Sequence, residues 1–202
     1  MTVRKGEDWG APGDARPDLV VVAGDAEAAA VVAEAEVAGR PCPPIGLLGG
    51  DLRRVLGGRG DEASLRAGGT AVRVDLGVAH LDGERHLFVA HLVARRARWR
   101  GRFAVVMNAE HVGDLDLAPR AHPGDGRLDV VEGRLRPGDR LKARARARTG
   151  THLPHPDLRA SRPTDWTGTW ERPVPVRLDG RPVGRFRTVE VTLLPDAIEV
   201  VV

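Results

Sequence analysis

The chain has 202 residues, of which 42% are hydrophobic and 29% charged, an ordinary globular balance that excludes a disordered chain. No apolar run approaches the roughly 20 residues that a membrane-spanning helix needs, and the opening segment 1–8 is too polar for a signal peptide. Cys42 is the only cysteine, so an intrachain disulfide is excluded and a reducing cytoplasm fits. The net charge is only +3, with Lys5 and Lys142 the only lysines, so the arginine-rich composition does not make the surface strongly basic.

In chain order, residues 18–23 form a short apolar run that predicts a buried strand. Gly24-Asp25 then opens a helix over 26–38 that Gly39 stops. A strand, a glycine turn and a helix form the unit whose turn can cradle phosphate. The bland alternative is that Gly24 and Asp25 merely start the helix. After a proline-rich break at 41–44, residues 45–48 predict a second strand. Gly49-Gly50 leads into a short helix over 51–56, and Asp61 caps another over 61–66.

From residue 71 the spacing changes to that of strands. Alternation over 71–76 precedes Leu81-Asp82-Gly83-Glu84, a hairpin signal with Asp-Gly at its centre. Strands are expected over 86–93, 103–107, 127–131, 174–178, 188–194 and 198–202. Residues 137–148 predict the one helix of this part, with Pro137 early and Gly150 past its end. Leu178-Asp179-Gly180-Arg181 reads as a type I′ hairpin, and Pro123-Gly124-Asp125-Gly126 as a turn.

Three motifs stand in register over about half the chain. They are Ala118-Pro119-Arg120-Ala121-His122-Pro123-Gly124-Asp125-Gly126-Arg127-Leu128-Asp129-Val130, Gly150-Thr151-His152-Leu153-Pro154-His155-Pro156, and Leu178-Asp179-Gly180. Together they resemble the C-terminal half of the soluble diacylglycerol kinase family of bacterial lipid kinases, sphingosine kinases and their relatives. That family reads Ala-Pro-x-Ala-x-x-Asp-Asp-Gly-x-Leu-Asp-Val, then Gly-x-His-x-x-His-Pro, then Leu-Asp-Gly-Glu. The resemblance implies a NAD kinase/diacylglycerol kinase-like fold. A shortened α/β nucleotide-binding domain would occupy residues 1–70, and an antiparallel β-sandwich residues 71–202.

What the resemblance implies for chemistry is ATP-dependent phosphorylation of a lipid hydroxyl, with Mg²⁺ spreading the charge. Asp179 matches the general base, and Arg181, where the family has an acid, is expected to lower its pKa. Asp125, with the carbonyls of His122 and Arg127, matches a structural magnesium site. The two nucleotide loops of the family read Gly-Gly-Asp-Gly-Thr and Pro-x-Gly-Thr-Gly-Asn-Asp. Here they are reduced to Ala23-Gly24-Asp25-Ala26-Glu27 and Leu48-Gly49-Gly50-Asp51. Gly24, Asp25, Gly49, Gly50 and Asp51 are thus the expected nucleotide-binding residues, and Glu27 brings negative charge towards a triphosphate. Asp125 and Asp179 are both expected to face these loops.

The expectation is therefore a lipid kinase relative whose activity is weakened or lost. The alternatives are a non-catalytic lipid- or partner-binding module of the same fold and, less favoured, a basic nucleic-acid-associated protein. Zinc is not expected at His152 and His155, because no third or fourth ligand accompanies them. The arginine runs at 95–102 and 134–148 read as solvated faces, with an anionic membrane surface as the other candidate partner. No recognised nucleic-acid motif accompanies them. The expected location is cytoplasmic, peripheral to the membrane at most, and a homodimer is left open.

Overall fold

In the computed structural model, the first structured part is built from three short strands, two of them a parallel pair, and three helices. The structure describes residues 10–202, so the polar opening segment 1–8 lies outside the described residues. The elements of this part are β1 (Gly10–Pro12), β2 (Val20–Val22), α1 (Asp25–Val37), β3 (Ile45–Leu47), α2 (Asp51–Val55) and α3 (Glu62–Arg66). Helix α1 ends where glycine was expected to end it, with Gly39 at φ 62° just past its cap. Asp61 caps α3, its carboxylate accepting the Ser64 N–H.

Strands dominate the rest. They are β4 (Thr70–Leu81), β5 (Glu84–Phe88), β6 (His91–Ala94), β7 (Phe103–Met107), β8 (His111–Val112), β9 (Leu115–Asp116) and β10 (Asp129–Gly133). Helix α4 (Pro137–Ala147) follows, then β11 (Leu158–Ser161), β12 (Asp165–Leu178) and β13 (Arg181–Val201). The principal sheet runs in the order β1-β4-β13-β12-β6-β7-β10-β11, every pair antiparallel, with β5 added on β4. Strand β3 joins β13 in parallel, so the parallel pair and the antiparallel sheet are hydrogen-bonded into one another.

Two cores follow from this arrangement. Phe88, Leu92, Val106, Val130, Trp166, Trp170 and Val189 fill the inside of the antiparallel part. Ala28, Val32, Ile45, Leu47, Leu52, Val74 and Val200 seat α1 and α2 on the sheet. Alternating residues of β4 and β13 serve the two sides, as the pleat requires.

The structure departs from the sequence reading in three informative places. The strand expected over 86–93 is two strands, because the chain bends at Val89-Ala90. The strands expected over 188–194 and 198–202 are one, β13, with a bulge between Leu194 and Ile198 where Asp196 takes φ 51°. The strand expected at 127–131 starts only at Asp129, because the Arg127 N–H is turned back onto the Asp125 carboxylate.

Candidate functional site

The cleft is set by two Asp-Gly hairpins that use one device. In each, the aspartate takes a left-handed backbone conformation (Asp82 φ 48°, Asp179 φ 47°) followed by a positive-φ glycine, as a type I′ turn demands. The inverted backbone aims each carboxylate at a neighbouring strand. Asp82 accepts the N–H groups of Arg187 and Thr188. Asp179 accepts those of Val89 (2.9 Å), Ala90 (2.8 Å) and His91 (3.0 Å), which are the donors freed where the chain bends between β5 and β6.

Opposite Asp179 lie the two glycine turns that precede α1 and α2. They approach so closely that a Cβ on Gly49 would lie 2.6 Å from the Ala23 carbonyl oxygen. Gly50, at φ 98°, would carry a Cβ 2.2 Å from the Asp25 carboxylate. That carboxylate caps α2 from outside the helix, accepting the Asp51 N–H at 2.6 Å and the Leu52 N–H at 3.3 Å. Asp51 in turn hydrogen-bonds His91 Nε2 at 3.0 Å and accepts the Gly113 N–H from the turn between β8 and β9 at 3.0 Å. Glu27 reaches back one turn to the Ala23 N–H at 2.8 Å.

Gly24, Asp25, Gly50, Asp51, His91 and Asp179 line one open cleft of about 490 Å³, with Arg181 at its edge. Three carboxylates in one cleft perturb one another. Burial, then the charge of Asp179, pushes the Asp25 carboxyl up to about 7. Burial also raises Asp179, outweighing the His91 charge and the three backbone donors that favour its ionised form. Burial would lower His91, which is only 2% exposed, but the Asp51 hydrogen bond and the charges of Asp179 and Asp51 hold it above its ordinary value. Burial opposes ionisation of Asp51, yet the His91 and Gly113 hydrogen bonds bring its carboxyl below the usual range. The expected lowering of Asp179 by Arg181 is therefore corrected: burial of the carboxylate decides its direction.

The expected residues divide into two groups. Gly24, Asp25, Gly50, Asp51 and Asp179 come together in the cleft, while Gly49 supports it from behind through the Ala23 contact. His122, Asp125 and Arg127 do not line it, which corrects the expectation that Asp125 faces the glycine turns. Asp125 is instead paired with the Arg162 guanidinium, on the connection between β11 and β12. One oxygen of its carboxylate is engaged there and the other accepts the Arg127 N–H at 3.0 Å. Two of the carboxylate's roughly four acceptor positions are therefore used within the chain. Among the described residues, no group of three or more His, Cys, Asp or Glu side chains is arranged to hold a metal ion.

Sequence reasoning missed His91 and Asn108. His91 sits inside an apolar stretch that reads as strand, and nothing local marks it. Asn108 is fully buried, donating to the carbonyls of Asp75 (2.9 Å) and Val89 (2.8 Å) and so holding the bend that feeds Asp179. Its place just past an apolar strand was the available signal, since a buried amide needs partners.

Residues 70–202 match the family described as the YegS C-terminal NAD kinase beta sandwich-like domain. The chain belongs to that family. The YegS-like sandwich agrees with the mostly antiparallel sheet described above and with the resemblance to diacylglycerol kinases read from the motifs. Two structures of a Bacillus anthracis str. Sterne protein assigned as a diacylglycerol kinase superpose with TM-scores of 0.64 and 0.68, at 14% and 15% identity. Each match covers 91% of this chain and 78% of that one. A third structure, of a diacylglycerol kinase from the same organism, gives a TM-score of 0.63 at 15% identity, over 91% of this chain and 76% of that one. At such identities the likeness bears on the fold alone. No curated protein matches the chain.

Proposed function

We propose that this YegS-like chain is a lipid kinase relative in which phosphoryl transfer to a lipid hydroxyl is strongly attenuated. One observation carries the reading: seven backbone N–H groups around the cleft are already taken by the protein's own carboxylates. Asp25 holds the N–H groups of Asp51 and Leu52, Asp51 that of Gly113, Glu27 that of Ala23, and Asp179 those of Val89, Ala90 and His91. A triphosphate needs such donors pointing at its oxygens. The first N–H groups of α1 carry no side-chain cap, but a phosphate reaching them would sit among Asp25, Asp51 and Asp179, so the charge of the cleft does not fit the phosphate end of a nucleotide.

Asp179 is also constrained as a base. Its two oxygens have about four acceptor positions, and three N–H groups occupy three of them. In the parent chemistry ATP would supply the phosphoryl group and Mg²⁺ would neutralise its charge. A positioned base contributes roughly 10²–10⁴-fold, and one removed electrostatic donor about 10²–10³-fold. Losing more than one of these leaves little turnover.

A specific observation favours lipid binding as the retained property. An apolar pocket lies between α4 and the sheet, lined by Trp99, Phe103, Val105, Leu135 and Leu158, with Arg140 and Arg144 beside it. Its free space is about 40 Å³, close to the room of one water, so an acyl chain would enter only by parting α4 from the sheet. His152 lines the same pocket, 4% exposed, with its ring beside the Leu117 backbone. Burial lowers its pKa, so a neutral imidazole bound to the Leu117 backbone would offer its other nitrogen as an acceptor to a lipid hydroxyl. Among the described residues no helix is long and apolar enough to cross a membrane, and the proposed setting is a cytoplasmic protein that meets the bilayer at its surface.

The test is transfer of labelled γ-phosphate from ATP to diacylglycerol or sphingoid-type lipids in mixed micelles. Turnover is expected to be barely above the lipid-free blank. Robust turnover that Asp179→Asn abolishes would show that the internal caps open readily and that the enzyme is competent.

A further inference from the structure

We propose that Arg162 is a built-in counter-cation for the loop carrying Asp125 and Asp129, so that this loop closes without a divalent ion. The acids concerned converge from separate parts of the chain. Asp75 on β4 is 1% exposed, and its carboxylate accepts the Gly126 N–H at 2.8 Å and the Asp196 N–H at 3.0 Å. Asp129 at the start of β10 is 6% exposed, and Asp125 lies in the turn that precedes β10. Three carboxylates so placed need a positive charge nearby, because burying unpaired charge is costly.

Arg162 supplies that charge in a geometry no single metal contact would reproduce. Its Nε lies 3.0 Å from Asp129 Oδ2, while a terminal nitrogen of the same guanidinium pairs with Asp125 Oδ2. The planar fork thus spans two carboxylates, a task for which lysine, a point charge, is unsuited. The backbone around it is stitched down as well. The Arg127 guanidinium donates to the Arg162 carbonyl at 3.2 Å, and the Leu128 N–H donates to the Pro163 carbonyl at 2.8 Å.

The loop sequence agrees. Gly124 stands where the related kinases have the first acid of their Asp-Asp-Gly motif, so the turn carries one negative charge fewer for Arg162 to balance. Mg²⁺ wants near-octahedral oxygen ligation. The guanidinium already neutralises the Asp125 and Asp129 carboxylates, so the loop's charge is balanced before any cation arrives. Structural dependence on Mg²⁺ is therefore absent in this chain, whatever the nucleotide cleft requires.

The experiment uses the full chain, stripped with EDTA and free of nucleotide, melted with and without millimolar Mg²⁺. Wild type is expected to melt within about 1 °C of the same temperature in both, and Arg162→Met about 3–8 °C lower. The side chain of Arg162 remains 37% exposed, which keeps the loss moderate. The combined variant Asp125→Asn/Asp129→Asn/Arg162→Met, which removes the charges together, is expected to recover most of the loss. A wild-type melting temperature that Mg²⁺ raises by several degrees would overturn the proposal. So would Arg162→Met melting like wild type. If Arg162→Met does not fold, a folded triple variant sustains the electrostatic role, and a triple variant that also fails to fold assigns Arg162 to packing and overturns it.

Discussion

Asp179→Ala is expected to lower the unfolding free energy by about 3 kcal/mol, while Asp179→Asn costs only about 1. The carboxylate holds three backbone N–H groups at the bend between β5 and β6. Hydrogen bonds to a charged group are worth roughly 1.5–3 kcal/mol each, and a donor left without a partner costs about 1–3. Burial of the carboxylate offsets part of this, as its raised pKa records, and water entering the open cleft recovers another part. Alanine adds the strain of φ 47°, about 1 kcal/mol, which asparagine tolerates. The amide oxygen of asparagine can still serve at least two of the donors. Urea unfolding monitored by tryptophan fluorescence measures the difference. Equal losses for the two variants would mean that the caps contribute little and that Asp179 is free to act as a base.

The second expected result is a pH dependence. Stability should fall as pH rises from about 4 to about 7, with Asp25 contributing to the fall throughout that range. In the folded chain its carboxyl titrates at about 7, against the usual value of 3.8. Between those values the folded state keeps a proton that the unfolded state has released, so each rise in pH favours unfolding. At 1.36 kcal/mol per pH unit the upper limit is roughly 4 kcal/mol.

Asp179, Asp75 and Asp129 are raised by burial and act in the same direction. His91, raised, contributes stability below its unfolded pKa and loses it as pH climbs through the folded one. Only below the ordinary carboxylate range do the lowered acids, Asp51, Glu36 and Asp61, reverse the trend. Asp25→Asn should flatten the slope between pH 4 and pH 7 and stabilise the chain at pH 8 by about 2 kcal/mol. An unchanged slope in that variant would place the titration elsewhere.

The parts legible in the sequence are those decided within a few residues. Asp82-Gly83 and Asp179-Gly180 made hairpins because that pair suits two consecutive positive-φ positions. Pro137 and Gly150 bracket α4, and Asp61 caps α3, by equally local chemistry. The split of β5 from β6 was not legible, because the group that holds the bend, Asp179, lies about ninety residues away. Nor was Asp125's turn away from the cleft, which is decided by an arginine 37 positions later that no motif marks.

The site was half legible for the same reason. Glycines at 49 and 50 announced a close approach. What approaches them is the Asp25 carboxylate and the Ala23 carbonyl, supplied by the other turn. Whether an acid in such a motif serves a ligand or the chain itself depends on which donors face it in three dimensions. The shared device of Asp82 and Asp179 makes the point: one holds two N–H groups within β13, the other holds a bend that lines the cleft.

The claim that these internal caps close the nucleotide cleft is tested most directly by isothermal titration of the full chain with ATP in the presence of Mg²⁺ at pH 8, where Asp25 is ionised. The account predicts no saturable heat with ATP up to millimolar concentration, a dissociation constant weaker than about 1 mM corresponding to less than about 4 kcal/mol of binding. Saturable binding in the micromolar range, lost in Gly50→Ala, would contradict it and show that phosphate displaces the carboxylates from their backbone donors.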